Sequence, residues 1–124
     1  MAERVSPLQF KQLLERRTRE FASATFKLID FLPNKESTRV ISYQLGKSAS
    51  SIGANYREAN RAESFDDFKH KLGVVLKETN ESVYWYEILC DLYPMHDAIR
   101  KLADENVELL KLFQSITRSA RSRK

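Results

Sequence analysis

Apolar side chains recur at steps of three and four along most of this chain, and very little interrupts them. Only three Gly and three Pro occur in 124 residues. Inside a helix those two residues cost about 1 and about 3 kcal/mol relative to Ala, so their scarcity is what long helices require. No strand-like alternation of useful length competes with the helical period. A chain of this length has one core. Its helical stripes can be buried only against one another.

The stripes separate into four. Ser6-Pro7-Leu8-Gln9 combines an N-cap Ser, Pro at the first helical position and Gln at the third. The stripe Phe10, Leu14, Arg17, Phe21, Ala24, Leu28 and Phe31 predicts a first helix over about residues 7–32, closed by Pro33-Asn34. A second, over about 37–62, carries the seam Ile41, Leu45, Ser48, Ile52, Asn55, Ala59 and Ala62. Ser64 and Asp67 have capping-box spacing. They open a third helix over 65–93 with Phe65, Phe68, Leu72, Val75, Leu76, Thr79, Val83, Tyr86, Cys90 and Tyr93 inward, stopped by Pro94. The fourth, over 97–117, aligns Ile99, Leu102, Asn106, Leu109, Phe113 and Ile116. Residues 118–124 lack apolar bulk and read as a flexible basic tail. A seven-residue repeat with short connections predicts one all-α domain over 1–124, an up-down-up-down antiparallel four-helix bundle.

Several chemistries are excluded by what the chain lacks. A single Cys, Cys90, rules out an internal disulfide and a Cys-based zinc site, and reads as a buried inert thiol. A di-iron bundle needs two Glu-x-x-His pairs, and the only acid-x-x-His here is Asp67 with His70. Neither His70 nor His96 follows an Arg by four to six residues, the spacing of small helical ribonucleases. Gly-rich phosphate loops and nucleophile elbows are also missing. The expectation is a protein that is not an enzyme and uses no cofactor or metal. A catalytic reading would rest on Glu58, Glu78 and Glu81 alone, and ranks last. No apolar run approaches membrane-spanning length and the N-terminus lacks the order of a signal peptide, so a cytoplasmic protein is expected.

The helix faces say more about partners. Residues 1–62 hold eleven Lys/Arg against six Asp/Glu, and residues 63–124 hold ten against eleven. On the second helix, Arg39, Lys47, Arg57 and Arg61 share the outward face, with Tyr43 and Ser50 between; with Arg118, Arg121, Arg123 and Lys124 they are the candidate phosphate contacts. The same pattern also describes an ordinary solvated face. Gly46, Ala49 and Gly53 cluster on one flank, where another backbone can come close. The third helix carries a second apolar stripe, Val74, Tyr84, Trp85, Ile88 and Leu92, roughly opposite its core seam. Two apolar faces call for a second burial partner, so these five are candidate oligomer contacts. Arg17, Asn55 and Asn106 sit on inward seams and need polar partners. Glu58, Glu78 and Glu81 could answer them as a structural network.

Ser51-Ile52 with Asn55 and Glu58, Leu76-Lys77-Glu78 with Asn80-Glu81, and Tyr84-Trp85 resemble, in order and spacing, the bacterial four helix bundle protein family, also called the 23S rRNA intervening-sequence protein family. Gln44-Leu45 and Asp67-Phe68 fit the same pattern. Ala59 stands where many members have Gly, and Val75 where many have Ser. The resemblance implies an all-helical protein that associates as a ring, with the homopentamer as expected form. A related accessory protein of diversity-generating retroelements is pentameric and basic and acts with a reverse transcriptase and RNA. The functional expectation is therefore a homo-oligomeric, non-enzymatic protein that binds RNA or a nucleic-acid-processing partner. The alternative is a purely structural protein–protein module.

Overall fold

The computed structural model describes residues 4–123. They form four helices, α1 (Pro7–Phe31), α2 (Glu36–Ala59), α3 (Phe65–Leu92) and α4 (Asp97–Ser122). Local chemistry explains each start. Ser6 Oγ accepts the Gln9 N–H at 3.1 Å while Gln9 Oε1 accepts the Ser6 N–H at 2.8 Å, a complete capping box. At α2 only half of such a box forms, from Thr38: its hydroxyl accepts the Lys35 N–H at 3.1 Å and donates to the Pro33 carbonyl. Ser64 Oγ caps Asp67 N–H at 3.0 Å, but the Asp67 carboxylate turns to Lys71 Nζ at 2.7 Å, so only half of the expected box closes. At α4 the cap is His96, whose Nδ1 accepts the Ile99 N–H at 3.3 Å.

Two boundaries differ from expectation. α2 ends at Ala59. Beyond it Arg61 and Ala62 bond carbonyls only three residues back, at 3.1 Å each, which tightens the chain into the turn. α4 runs through Ser122, so residues 118–122 are helix and not a flexible tail. Ala120 is only 5% exposed, and the Arg123 guanidinium lies 4.5 Å from the Phe65 ring centroid at the start of α3. A small apolar residue and one aromatic platform are enough to hold these last turns down. Lys124 lies outside the described residues.

Consecutive helices pack on one another, and α4 meets α1 along the thinnest seam. Side chains cross the centre on both diagonals. Tyr86 Oη and Thr25 Oγ1 are 2.6 Å apart, and the Tyr56 and Phe113 rings meet edge-on at 5.3 Å. The inward register of α1 is Leu14, Thr18, Phe21, Thr25 and Leu28. Thr18 can face inward because its hydroxyl is satisfied by the Leu14 carbonyl at 2.9 Å. Arg17 and Ala24 therefore sit on the flank, and the ends of the expected stripe are open, with Phe10 38% and Phe31 87% exposed. On α2, Tyr56 takes the inward place expected for Asn55, which is half-buried and bonds the Ser51 carbonyl at 2.8 Å. The small flank of α2 is used by α1: a Cβ on Gly53 would lie 2.9 Å from Thr18 Oγ1, and one on Gly46 3.0 Å from Phe26 Cε1.

Candidate functional site

Glu15 of α1 organises the basic side chains at one end of the bundle. Its side chain is only 19% exposed. Arg57 Nε and Arg61 Nη1 each lie 3.5 Å from its carboxylate, and Asn60 Nδ2 donates to it at 3.0 Å. Arg57 and Arg61 remain half-exposed or more, at 50% and 64%. Exposed pairs of this kind are worth about 0–1 kcal/mol, so another anion can compete with Glu15 for both. Arg39 sits at the opposite end of α2, bonded to Glu36 at 2.6 Å and Asn34 at 3.1 Å. Lys47 lies between, near enough to Glu78 to offset part of the rise that burial imposes on its carboxyl pKa. The α2 stripe is thus split along its length rather than gathered.

Charge gathers instead by height in the bundle. The first half of α1, the second half of α2, the first half of α3 and the second half of α4 are joined by the Glu15–Arg61, Tyr56–Phe113 and Phe65–Arg123 contacts and so share one end. That end (residues 4–19, 48–78 and 110–123) holds fourteen Lys/Arg and six Asp/Glu, against six and ten in residues 20–47 and 79–109. The net charges are +8 and −4 from those counts. Arg118 and Arg121 are exposed at the positive end. Lys69 and Arg123 share one aromatic platform there, at 5.2 and 4.5 Å from the Phe65 centroid. Stacking of a cation on an aromatic face is favourable and keeps the charged group outward. Neither Lys69 nor Glu15 was among the residues singled out from sequence. For Glu15 the signal was present: it is the only acid among residues 4–19, beside five Lys/Arg.

The expected polar network takes a different form. Arg17 makes a bidentate pair with Glu105, Nε to Oε2 and Nη2 to Oε1, both at 2.7 Å. This hydrogen bond, with the Glu105 charge, holds the guanidinium pKa above its ordinary value despite partial burial. Glu58 is exposed. Glu78 is half-buried, and burial followed by repulsion from Glu81 pushes its carboxyl pKa up. Asn106 is fully buried and donates from Nδ2 to the Thr79 carbonyl at 3.3 Å. Arg17, Asn55, Glu58, Glu78, Glu81 and Asn106 therefore do not form one connected cluster. They belong to separate seams, because the helix that answers Arg17 is α4.

The second stripe of α3 divides. Tyr84 and Leu92 are 56% and 47% exposed, whereas Val74, Trp85 and Ile88 are half-buried. Tyr84 packs edge-on against Trp85 at 5.2 Å. Cys90 is half-buried beside this stripe, and burial pushes its thiol pKa up. Among the described residues no three His, Cys, Asp or Glu side chains come together as a metal site. No described helix is long and apolar enough to cross a membrane.

The fold defines an all-α four-helix protein with charge segregated along its length. Residues 12–115 match the 23S rRNA-intervening sequence protein family, and the chain belongs to that family. It is similar to a crystal structure of a protein of unknown function from the S23 ribosomal protein family of Bacteroides thetaiotaomicron VPI-5482. The two are 36% identical, with a TM-score of 0.77 over 87% of this chain and 97% of that one. Among curated proteins none matches the chain.

Proposed function

We propose that this is a non-enzymatic, homo-oligomeric cytoplasmic protein that binds RNA through the basic end of an up-down-up-down antiparallel bundle. The carrying observation is the segregation of charge, fourteen basic against six acidic residues in one half. A polyanion reads charge density first. The antiparallel arrangement is supported by contacts whose numbers run oppositely: residues 15, 18 and 26 of α1 meet 57, 53 and 46 of α2. Assembly as a ring, with the homopentamer as the family resemblance implies, is supported by the apolar surface left open on α1 and α3. In a ring of side-by-side copies the basic ends share one face, which multiplies the field. Arg57, Arg61, Arg118, Arg121 and Arg123 are the phosphate contacts of this reading. Arg39, at the far end, is not.

The test is binding of a labelled single-stranded RNA over a range of salt. With about four phosphates of a single strand neutralised per protomer, affinity falls roughly 50-fold between 50 and 200 mM salt. Replacing Arg118 and Arg121 by Glu weakens binding and flattens that dependence, whereas Arg39→Glu does neither. Absent binding, or binding indifferent to salt, refutes the nucleic-acid reading. It leaves the alternative of a structural protein–protein module.

A further inference from the structure

Among the described residues, two of the apolar faces left open in the protomer lie near the α3–α4 turn. One is the groove between the C-terminal half of α1 and the first turns of α4. Ala24, Leu28, Phe31, Ala98 and Leu102 line it, with Lys27 and Lys101 on its two rims, and it encloses about 580 Å³. It opens along the thinnest seam of the bundle. The other is the outer face of α3, where Tyr84 and Leu92 are exposed and Trp85 and Ile88 half-covered. Covering apolar side chains takes their surface out of water, so an arrangement that buries both faces is favoured.

Charge says what fits the groove. Lys27 and Lys101 take part in none of the ion pairs among the described residues, and neither do Glu81, Glu87 and Asp91 along the α3 face. By contrast Arg100 and Lys111, also on α4, each hold an acid within 3.5 Å. The unpaired lysines of one face thus complement the unpaired acids of the other. The two faces also lie at the same height. The last turns of α3 lead through residues 93–96 straight into the first turns of α4, so copies set side by side bring them level without sliding.

We infer that the outer face of the C-terminal half of α3 in one copy docks into the α1–α4 groove of the next. The inference rests on the oligomeric reading above and names the surfaces that build it. Ile88 and Leu92 cover Phe31 and Leu102, while Glu87 and Asp91 approach Lys27 and Lys101. The contact joins two different surfaces, so it is heterologous and ends only by closing into a ring.

Phe31→Glu and Leu92→Glu test it by light scattering. Both positions are open in the protomer, at 87% and 47%, so helicity by circular dichroism should be unchanged. Each variant is expected to give the mass of a single 14.5 kDa chain at a concentration tenfold above that at which the unmodified protein is still assembled. Val40→Glu, at a site 56% exposed on α2, should leave the assembly mass as it was. Lys101→Glu should raise the concentration needed for assembly at least tenfold, and adding Asp91→Lys should restore it. An assembled parent that ignores Phe31→Glu and Leu92→Glu overturns the inference while leaving the oligomeric reading intact, and so does failure of the charge exchange to weaken and then rescue assembly. A monomeric parent overturns both. Assembly abolished by Val40→Glu also overturns it, because the contact would then lie on α2.

Discussion

Tyr86→Phe and Thr25→Val, made singly and together, probe the polar centre of the bundle. The two oxygens are 2.6 Å apart, and the residues are 1% and 0% exposed. Thr18 and Thr79 bond carbonyls of their own helices, whereas Thr25 turns its hydroxyl across the core. Either single substitution strands one buried hydroxyl, at a cost of about 1–3 kcal/mol. Neither opens much space: Phe keeps the ring that packs on Phe21 at 5.9 Å, and Val has nearly the volume of Thr. The double substitution removes both polar groups and should cost less than either single change. The expected coupling is therefore at least ~1 kcal/mol. Urea unfolding followed by circular dichroism measures it, at one fixed protein concentration because the proposed assembly would add a mass-action contribution. Additive losses would refute the claim that the two hydroxyls satisfy each other. A second readout is alkaline pH. Burial pushes the Tyr86 phenol pKa up, partly offset by the bond to Thr25. A folded-state pKa above the unfolded one means full stability below about pH 10 and a progressive loss above it, since the unfolded chain gives up its proton first. The slope per such group is about 1.4 kcal/mol per pH unit. Tyr86→Phe should remove one group's share of that fall. The share of Tyr56, also raised chiefly by burial, should remain.

Two glycines should respond to Ala with opposite signs. Gly73→Ala meets nothing within 4 Å and should stabilise α3 by about 1 kcal/mol through helix propensity. Gly53→Ala drives a methyl to 2.9 Å from Thr18 Oγ1 and 3.2 Å from Thr18 Cβ; overpacking of about 1–3 kcal/mol should outweigh the same propensity gain. A rise in the urea midpoint for Gly53→Ala would mean that α1 does not approach so closely. Truncation after Thr117 removes buried Ala120 and the Arg123–Phe65 stack. It should lower stability by about 1–2 kcal/mol, of which the cation–aromatic contact supplies roughly 0.5–1. An unmoved midpoint would mean that these turns contribute nothing.

Helix number and most ends were legible because they are local. Ser6, Ser64, Pro33 and Pro94 act within one turn of where they stand in the chain. The inward register of α1 was harder. Arg17 with Ala24 and Thr18 with Thr25 have the same spacing, and only the carbonyl behind Thr18 shows that a hydroxyl can be buried cheaply. Asn55 and Tyr56 posed a similar choice, settled by Phe113 on the opposite helix. The end of α4 was missed because Ala120 is the lone small apolar residue past Ile116, too little to extend a stripe. For the candidate site, the sign and run of charges could be read directly. Partners could not: Glu105 answers Arg17, and Glu15 answers Arg57 and Arg61, through the relative height of helices that no local pattern encodes.

A helix of this length is about 39 Å long for 26 residues, and the molecule carries opposite signs toward its two ends. It is an electric dipole. At physiological ionic strength the field of a polyanion decays over about 8 Å, far less than the rod's length, so an approaching strand feels only the nearer tip. For the polyanion of the proposed function, collisions at the negative tip would be turned away and those at the positive tip retained, so orientation would be chosen during diffusion, before any side chain touched the strand.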